Sequence, residues 1–365
     1  MKISRKLKMD INKVAIITIA YVFITLFLFF FNCAMISSPY SLGPSKEFSV
    51  DSYLITSILT GLVAGVLGGM LLVSVNNQLF RRRSFKSAML ITLLAYVAVF
   101  LLVVLVSTFA YVLGQHGIHA ISIDSTKAGL WGVFTTRIIT TNFILWGAII
   151  FFTLFLLQVN DKFGPGILLK FLAGNYHHPK KEQRIFMFMD MRSSTSIAEK
   201  IGNEKYFHLL KDLYSDITNT ILNNEGEIYQ YVGDEVVISW SIKKGTRKAN
   251  ALNCFVQIQE KLAELKPIYK EKYNVMPAFK AGIHYGSVMA GEVGVIKKDI
   301  IYSGDVLNTT ARIQEQCNHY GVNILISKET FELFSDIKGY KLISLGKIEL
   351  RGKKREIDLH TIITI

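Results

Sequence analysis

Long uncharged apolar segments dominate the first half of the chain. Four of them lie at about residues 14–36, 53–75, 88–113 and 138–159. Each exceeds the ~20 residues that an α-helix needs to cross a bilayer. The pattern predicts an all-α transmembrane domain of four spanning helices over residues 1–160, followed by a linker over residues 161–183.

The second half of the chain has shorter, alternating patterns. Strands are predicted at 184–190, 277–285, 340–350 and 356–364, a hairpin at 226–240, and a short strand-helix unit at 323–335. Helices are predicted at about 247–271 and 305–320. A long helix is predicted from the apolar stripe Leu210, Leu213, Tyr214, Ile217 and Ile221. This order predicts an α+β palm over residues 184–365, an antiparallel sheet with helices on one face.

The distribution of charge predicts the topology. The net charge is +13, and residues 1–160 carry 12 Lys and Arg against 4 Asp and Glu. The basic residues cluster at 2–13 and 81–86, before the first span and between the second and third. By the positive-inside rule, both termini and the second domain lie in the cytoplasm. The sequence therefore predicts a multi-pass protein of the plasma (inner) membrane with the lipid bilayer as a partner.

Several function classes find no support in the sequence. No basic-aromatic module is present, so nucleic acid is not an expected partner. The cysteines form no C-x-x-C pair, which argues against a zinc site or disulfides. The chain has no G-x-x-x-x-G-K-[ST] loop and no G-x-G-x-x-G opening a helix. The four spans carry no charged residue, which argues against a transporter or channel.

Glycine recurs every fourth residue in the second span, at Gly61, Gly65 and Gly69. Small residues at this spacing let two membrane helices approach closely. The sequence leaves open whether the partner helix belongs to the same chain or to a second subunit.

Two carboxylates are predicted at the ends of neighbouring strands. Asp190 ends the apolar run 184–190, and Asp234 follows Gly233 at the tip of a tight hairpin. A two-metal phosphoryl-transfer site needs such carboxylates, because each ion requires hard oxygen ligands and open positions for the nucleotide.

A hydroxyl-rich turn follows Asp190, and its residues are Ser193, Ser194 and Thr195. Ser196 and Glu199 have the spacing of a capping box, so a helix is predicted to start there. A helix N-terminus beside a strand-end carboxylate suits a phosphate that is bound through a cation.

These motifs, with SGDVLNTTAR at 303–312 and ELRGKK at 349–354, resemble the catalytic domain of the class III nucleotide cyclases. The resemblance covers about the last half of the chain, and it implies the same α+β palm. It also implies that Asp190 and Asp234, with the backbone of Met191, hold two Mg²⁺ (or Mn²⁺) ions. Such ions polarise the α-phosphate, activate the ribose 3′-hydroxyl and neutralise the departing pyrophosphate.

Residues 304–312 reproduce the family pattern G-D-x-x-N-x-x-x-R. Asn308 and Arg312 lie four residues apart on a predicted helix, so they project from one face. The resemblance implies that Asn308 orients the ribose and that Arg312 stabilises charge on the α-phosphate. It also implies that Lys353 binds the β- and γ-phosphates.

In this family the metal-binding carboxylates come from one subunit and the Asn/Arg helix from the other. Because this chain has both sets, the resemblance implies a homodimer with two equivalent sites and an inactive monomer.

Two positions depart from the family pattern for the nucleotide base. Gln230 stands where adenylate cyclases have Lys and guanylate cyclases have Glu. Ile301 stands where adenylate cyclases have Asp or Thr and guanylate cyclases have Cys. The turn after Asp190 has Ser193-Ser194 where the family often has Gly-Phe. The sequence predicts a membrane-bound adenylate cyclase that converts ATP to 3′,5′-cyclic AMP and pyrophosphate. The alternatives are a guanylate or dual-specificity cyclase and a non-catalytic membrane signalling protein that only binds nucleotide.

Overall fold

The computed structural model describes residues 5–37, 49–82, 85–116, 137–163, 174, 178–296, 298–334, 339–351 and 356–364. The chain divides into two compact units, formed mainly by Leu7–Leu168 and by Leu169–Ile365.

The first unit consists of long apolar helices. They are α1 (Arg5–Ile36), α2 (Val50–Val63), α3 (Gly69–Arg82), α4 (Phe85–His116) and α5 (Arg137–Phe163), and a π-helical turn (Ala64–Gly68) joins α2 to α3. Within the described ranges, four stretches are long and apolar enough to cross a membrane, namely Arg5–Ile36, Val50–Asn76, Leu90–Ala110 and Ile139–Asp161. The four predicted helical segments are thus confirmed, whereas their orientation stays a prediction.

The glycine face of the second span packs against α1 of the same chain. A Cβ on Gly61 would lie 2.5 Å from Thr25 Oγ1, and a Cβ on Gly65 would lie 2.5 Å from Thr18 Cα. Only glycine allows this approach, because real Cβ atoms do not come so close to other heavy atoms. The glycine face, whose partner helix the sequence left open, is therefore packed against a helix of the same chain.

The end of α5 is tied to two other helices of this unit by polar contacts. Asp161 Oδ1 lies 2.9 Å from Lys13 Nζ on α1. Asn76 Nδ2 on α3 donates a hydrogen bond to Asp161 Oδ2 at 2.5 Å. Three helices thus converge on one carboxylate where the fourth span ends.

The second unit is an α+β domain built on one sheet. Its strands are β1 (Lys180–Met191), β2 (Glu227–Val232), β3 (Glu235–Ser241), β4 (Phe279–Val293), β5 (Asp299–Ser303), β6 (Ile324–Ser327), β7 (Tyr340–Glu349) and β8 (Glu356–Thr364). Its helices are α6 (Ser194–Ile201), α7 (Asn203–Asn223), α8 (Ile242–Thr246), α9 (Asn250–Glu264), α10 (Lys266–Tyr273), α11 (Asp305–His319) and α12 (Lys328–Phe331). Among the described residues, the strand order is β2-β3-β1-β4-β6-β8-β7, with β5 paired to β4.

One face of the sheet carries the main core. Ile185, Met187 and Met189 of β1 are fully buried there. They pack in one cluster with the stripe of α7, which is Leu209, Leu213, Ile217 and Ile221, and with residues of α9 and α10. The period of two along β1 and of four along α7 explains why these two elements meet. This face will be called the core face.

The opposite face of the sheet, called here the site face, is covered differently. Phe186 and Phe188 of β1 cluster there with Val237 of β3, Val288 of β4 and Val306 of α11. Helix α11 therefore packs on the face opposite to α7 and α9.

The α+β fold is confirmed, and three details differ from the expectation. The sheet is mixed, because β4 and β6 run parallel while the other neighbouring strands are antiparallel. Helices lie on both faces rather than one, because α11 packs on the site face. Helix α6 begins at Ser194 with Ser193 as its N-cap residue, which makes no side-chain capping bond, so the capping box at Ser196 is not the start.

Candidate active site

Asp190 lies on the site face at the end of the central strand β1. In the sheet register it faces Glu235 of β3 and Lys280 of β4. The Nζ atom of Lys280 lies 3.2 Å from Asp190 Oδ2. Since side chains alternate along a strand, the residues on either side of Asp190 enter the core while its carboxylate faces the opposite way.

Asp234 lies in the turn between β2 and β3, beside Asp190. Gly233 has a φ of 62°, which a glycine adopts without strain. Tyr214 of α7 donates its hydroxyl hydrogen to the Gly233 carbonyl at 2.8 Å, which holds the turn against the domain. The structure thus brings the two predicted carboxylates together.

Negative charge is concentrated at this strand end. Burial raises the pKa of Asp190, the hydrogen bond with Lys280 lowers it, and neighbouring Asp234 raises it again, so that the net shift is upward. Burial, followed by the charges of Asp190 and Asp234, raises the pKa of Glu235 to about 7. One ammonium group therefore does not balance the carboxylates, and a further positive charge would stabilise the ionised forms.

This donor set fits Mg²⁺ or Mn²⁺ held together with a nucleotide. In the described part of the chain, no group of three or more His, Cys, Asp or Glu side chains could hold a metal by itself. Mg²⁺ is commonly bound through one or two carboxylates plus the phosphates of its substrate, so a pair of carboxylates is the expected protein contribution. Met191 is buried at the end of β1. Metal binding by its backbone stays a prediction.

The turn after Asp190 is built from the predicted hydroxyl residues. Ser193 has a φ of 54°, in the left-handed region, so the chain reverses there before α6 begins. Ser194 forms a side-chain hydrogen bond with Tyr206 of α7. Ser193 and Thr195 are exposed, and their contact with phosphate stays a prediction.

Helix α11 lies unusually close to β4, and this places one of its side chains at Asp190. A Cβ on Gly282 would lie 2.5 Å from the Gln314 backbone nitrogen and 2.7 Å from the Thr310 carbonyl oxygen. Gln314 is buried, with an exposed fraction of 4%. Its Nε2 donates a hydrogen bond to Asp190 Oδ2 at 3.3 Å.

Asn308 and Arg312 lie on the other side of α11. At roughly 100° per residue, they point roughly 120° and 160° away from Gln314 around the helix axis. Asn308 is exposed, and Arg312 donates a hydrogen bond to the carbonyl of Arg351. The two groups predicted to act in the transition state therefore share one face, as expected, and that face is turned away from the carboxylates of the same chain. Lys353 lies outside the described residues.

The predicted base-reading positions lie on β2 and β5. A bulge between Ile228 and Gln230 shifts the register, so that Gln230 faces Val237 of the site face. Gln230 is exposed there. Ile301 faces Gly291 of β4, and its neighbour Tyr302 donates its backbone N–H to the Tyr229 hydroxyl at 3.2 Å. Ile301 and Tyr302 point to opposite faces of β5.

The sequence analysis missed three residues at this strand end: Glu235, Lys280 and Gln314. Glu235 follows the predicted Asp234 directly, and that adjacency was a usable signal. Lys280 and Gln314 reach Asp190 across long sequence separations, and no local pattern marks them.

The second half of the chain is similar to known proteins. The family model of the adenylate and guanylate cyclase catalytic domain matches residues 176–364. Adenylate cyclase 2 of Rhizobium meliloti (strain 1021) is 31% identical over 204 residues, 56% of this chain and 56% of that protein. Adenylate cyclase 1 of the same organism is 25% identical over 185 residues, 49% of this chain and 27% of that protein. This chain therefore spans about half or less of the length of these curated relatives.

A solved structure shares the fold. The structure of a bacterial light-regulated adenylyl cyclase superposes with a TM-score of 0.52 at 20% sequence identity, over 62% of this chain and 66% of that one.

Proposed function

This chain belongs to the adenylate and guanylate cyclase family, and on that premise we propose that it is a membrane-bound adenylate cyclase that converts ATP to 3′,5′-cyclic AMP and pyrophosphate. The observation that carries the proposal is that one chain has both sets of cyclase residues and holds them apart. Asp190 and Asp234 meet at a strand end, whereas Asn308 and Arg312 lie on the far side of α11.

The carboxylates would hold the nucleotide through divalent metal. Asp190 and Asp234 supply hard anionic oxygens, and two bound Mg²⁺ or Mn²⁺ ions would supply charge stabilisation and lower the pKa of the ribose 3′-hydroxyl. The Gly233 turn, held by Tyr214, and the left-handed turn at Ser193 fix the two carboxylates relative to each other. A fixed geometry matters because phosphoryl transfer depends mainly on positioning and electrostatics.

The transition-state groups would act in the site of a second subunit. Asn308 would orient the ribose, and Arg312 would donate to the α-phosphate with its planar, permanently charged guanidinium. Since both point away from Asp190 of their own chain, a complete site needs two chains. We therefore propose a homodimer with two equivalent sites, to which Lys353 adds a contact with the β- and γ-phosphates.

ATP is the proposed substrate because the two curated relatives described above are adenylate cyclases. The Gln230 amide can donate or accept hydrogen bonds, so it can face either purine. A guanylate or dual-specificity cyclase is therefore the alternative that the test must separate.

The proposed location is the plasma membrane. Residues 1–160 would cross it four times with both termini in the cytoplasm, and residues 161–183 would link the spans to a catalytic domain at residues 184–365. The support is the four apolar helices and the basic residues beside them.

The test uses the full-length protein in membranes. It is incubated with Mn²⁺ or Mg²⁺ and with ATP or GTP, and the product is identified by mass spectrometry, with the double variant Asp190→Asn, Asp234→Asn as the blank. Cyclic AMP above the blank supports the proposal, and cyclic GMP keeps the mechanism but overturns the substrate. No cyclic nucleotide under any condition would leave the non-catalytic alternative.

A further inference from the structure

We infer that Gln314 is a positioning residue for the metal-binding carboxylate of its own chain, so that each α11 helix serves two catalytic sites at once. The inference rests on the proposed cyclase function. It assigns a role to a residue that the sequence motif does not include.

The contact itself is specific. Gln314 Nε2 and Lys280 Nζ lie 3.3 Å and 3.2 Å from the same atom, Asp190 Oδ2. Two donors on one oxygen fix the rotation of the carboxylate about its Cβ–Cγ bond, which aims the other oxygen. Hydrogen-bond partners of this kind hold a metal-binding carboxylate in the orientation that the ion needs.

The helix that carries Gln314 is held rigidly at this point. The backbone of α11 fits against Gly282 of β4 so closely that a Cβ there would lie 2.5 Å from the Gln314 nitrogen. A second glycine, Gly286, brings Val306 within 3.0 Å of the position that its Cβ would have. Because the backbone of α11 is fixed against β4, the glutamine amide is fixed relative to β1.

The two faces of α11 then contribute to different catalytic sites. Gln314 serves Asp190 of its own chain, and Arg312, two residues earlier, faces away toward the site that the partner subunit completes. A change in the orientation of Asp190 in one site would therefore act, through Gln314, on the helix that presents Arg312 to the other. This gives the two sites of a homodimer a direct mechanical connection through a helix of 15 residues.

The main test is a heterodimer with a single working site. One full-length chain carries Asn308→Ala and Arg312→Ala and supplies the carboxylates; the other carries Asp190→Ala and Asp234→Ala and supplies Asn308 and Arg312. Each homodimer lacks one half of every site, so activity reports the mixed dimer alone. Gln314→Met, which keeps the length of the side chain and removes the donor, is then placed in one chain or the other.

When Gln314→Met is in the chain that supplies the carboxylates, we expect activity to fall roughly 10-fold. The Mn²⁺ concentration for half-activation should rise by roughly the same factor. The same substitution in the other chain should cost at least several-fold less. An equal loss in both arrangements, or a larger loss in the chain that supplies Arg312, would show that Gln314 supports α11 packing and not Asp190.

A second readout does not depend on turnover. Mn²⁺ binding to the full-length homodimer is measured by electron paramagnetic resonance with an ATP analogue that cannot cyclise. Gln314→Met should weaken Mn²⁺ binding roughly 10-fold, and Gln314→Glu should weaken it or strengthen it through its own carboxylate, but should not leave it unchanged. Mn²⁺ binding within two-fold of the unsubstituted protein in Gln314→Met would overturn the inference.

Failure of the proposed function would look different. If the mixed dimer with Gln314 intact has no activity while the unsubstituted protein is active, the shared site is wrong. If the unsubstituted protein is itself inactive, the cyclase proposal is wrong, and the Mn²⁺ measurement still decides whether Gln314 positions Asp190.

Discussion

The two faces of strand β1 share one backbone, but their side chains have different roles. On the core face, Ile185, Met187 and Met189 are fully buried under helices α7 and α9 of the same chain. On the site face, the same strand carries Asp190, which is only half-buried and is surrounded by other charged groups. Alternation with a period of two therefore places the apolar core residues on one face of the strand and Asp190 on the other, beyond the buried Phe186 and Phe188.

The two faces also differ in how complete they are within one chain. The core face has its full apolar cover, so its burial drives folding. The site face is covered in part by α11 and by the Tyr302 side chain of β5, and the helix turns Asn308 and Arg312 outward. On the proposed function, a single chain therefore completes its core and supplies only part of a catalytic site, and the two faces should respond differently to substitution.

The largest effect is expected from Asp190→Asn on the site face. The substitution keeps the size of the side chain and removes the charge that is proposed to hold the metal, so kcat should fall by about 10³-fold. The Tm without divalent ions should stay the same or rise, because repulsion with Asp234 and Glu235 is relieved. Cyclase assays and thermal unfolding of the same preparation check both parts.

A marked fall in Tm for Asp190→Asn would mean that Asp190 stabilises the fold, and the contrast between the two faces would be lost. Asp234→Asn serves as the matched variant, because it removes the other carboxylate from a turn and not from the strand.

Arg312→Lys should have the next largest effect. Lysine keeps the charge and loses the planar, forked donor, so kcat should fall by roughly 10²-fold while KM changes little. Steady-state kinetics with ATP separate these two parameters. A change in KM alone would assign Arg312 to ground-state binding of the nucleotide.

On the core face, Met187→Ala should act on stability and not on chemistry. Removing a fully buried side chain leaves a cavity and should cost about 2–5 kcal/mol of unfolding free energy. The kcat of the protein that remains folded should be close to that of the unsubstituted protein. Met187→Leu is the control and should cost less than about 1.5 kcal/mol, because it nearly conserves volume. A large loss of kcat in folded Met187→Ala would contradict the division between the faces.

Local sequence patterns predicted most of this arrangement and missed specific parts for physical reasons. The spans, β1, the stripe of α7 and the hairpin carboxylate follow from periodicity and turn residues, which are local. The parallel pairing of β4 with β6 and the reach of Gln314 to Asp190 depend on contacts over long sequence separations. The bulge at Ile228–Gln230 breaks the alternation itself, so no count of apolar and polar positions places Gln230 on the site face.

The smallest effect is expected at the other end of β1, where the site face holds a structural ion pair. Arg184 is buried, lies 2.6 Å from Glu227 Oε2, and has its guanidinium 4.7 Å from the centre of the Tyr302 ring. Burial alone would raise the pKa of Glu227, but Arg184 and Lys244 lower it to about 2. Since the pKa in the folded state lies below the unfolded value, the pair stabilises the fold above about pH 4.5 and loses this effect as the pH falls toward 2.

Glu227→Gln should therefore flatten the decline of Tm between pH 6 and pH 3 by a few degrees, measured by thermal unfolding across that range. If both proteins lose Tm in parallel, another carboxylate is responsible for the acid sensitivity. The flattened profile, together with an unchanged kcat at neutral pH, would show that residues on the site face of β1 take part in catalysis only at the end of the strand, at Asp190.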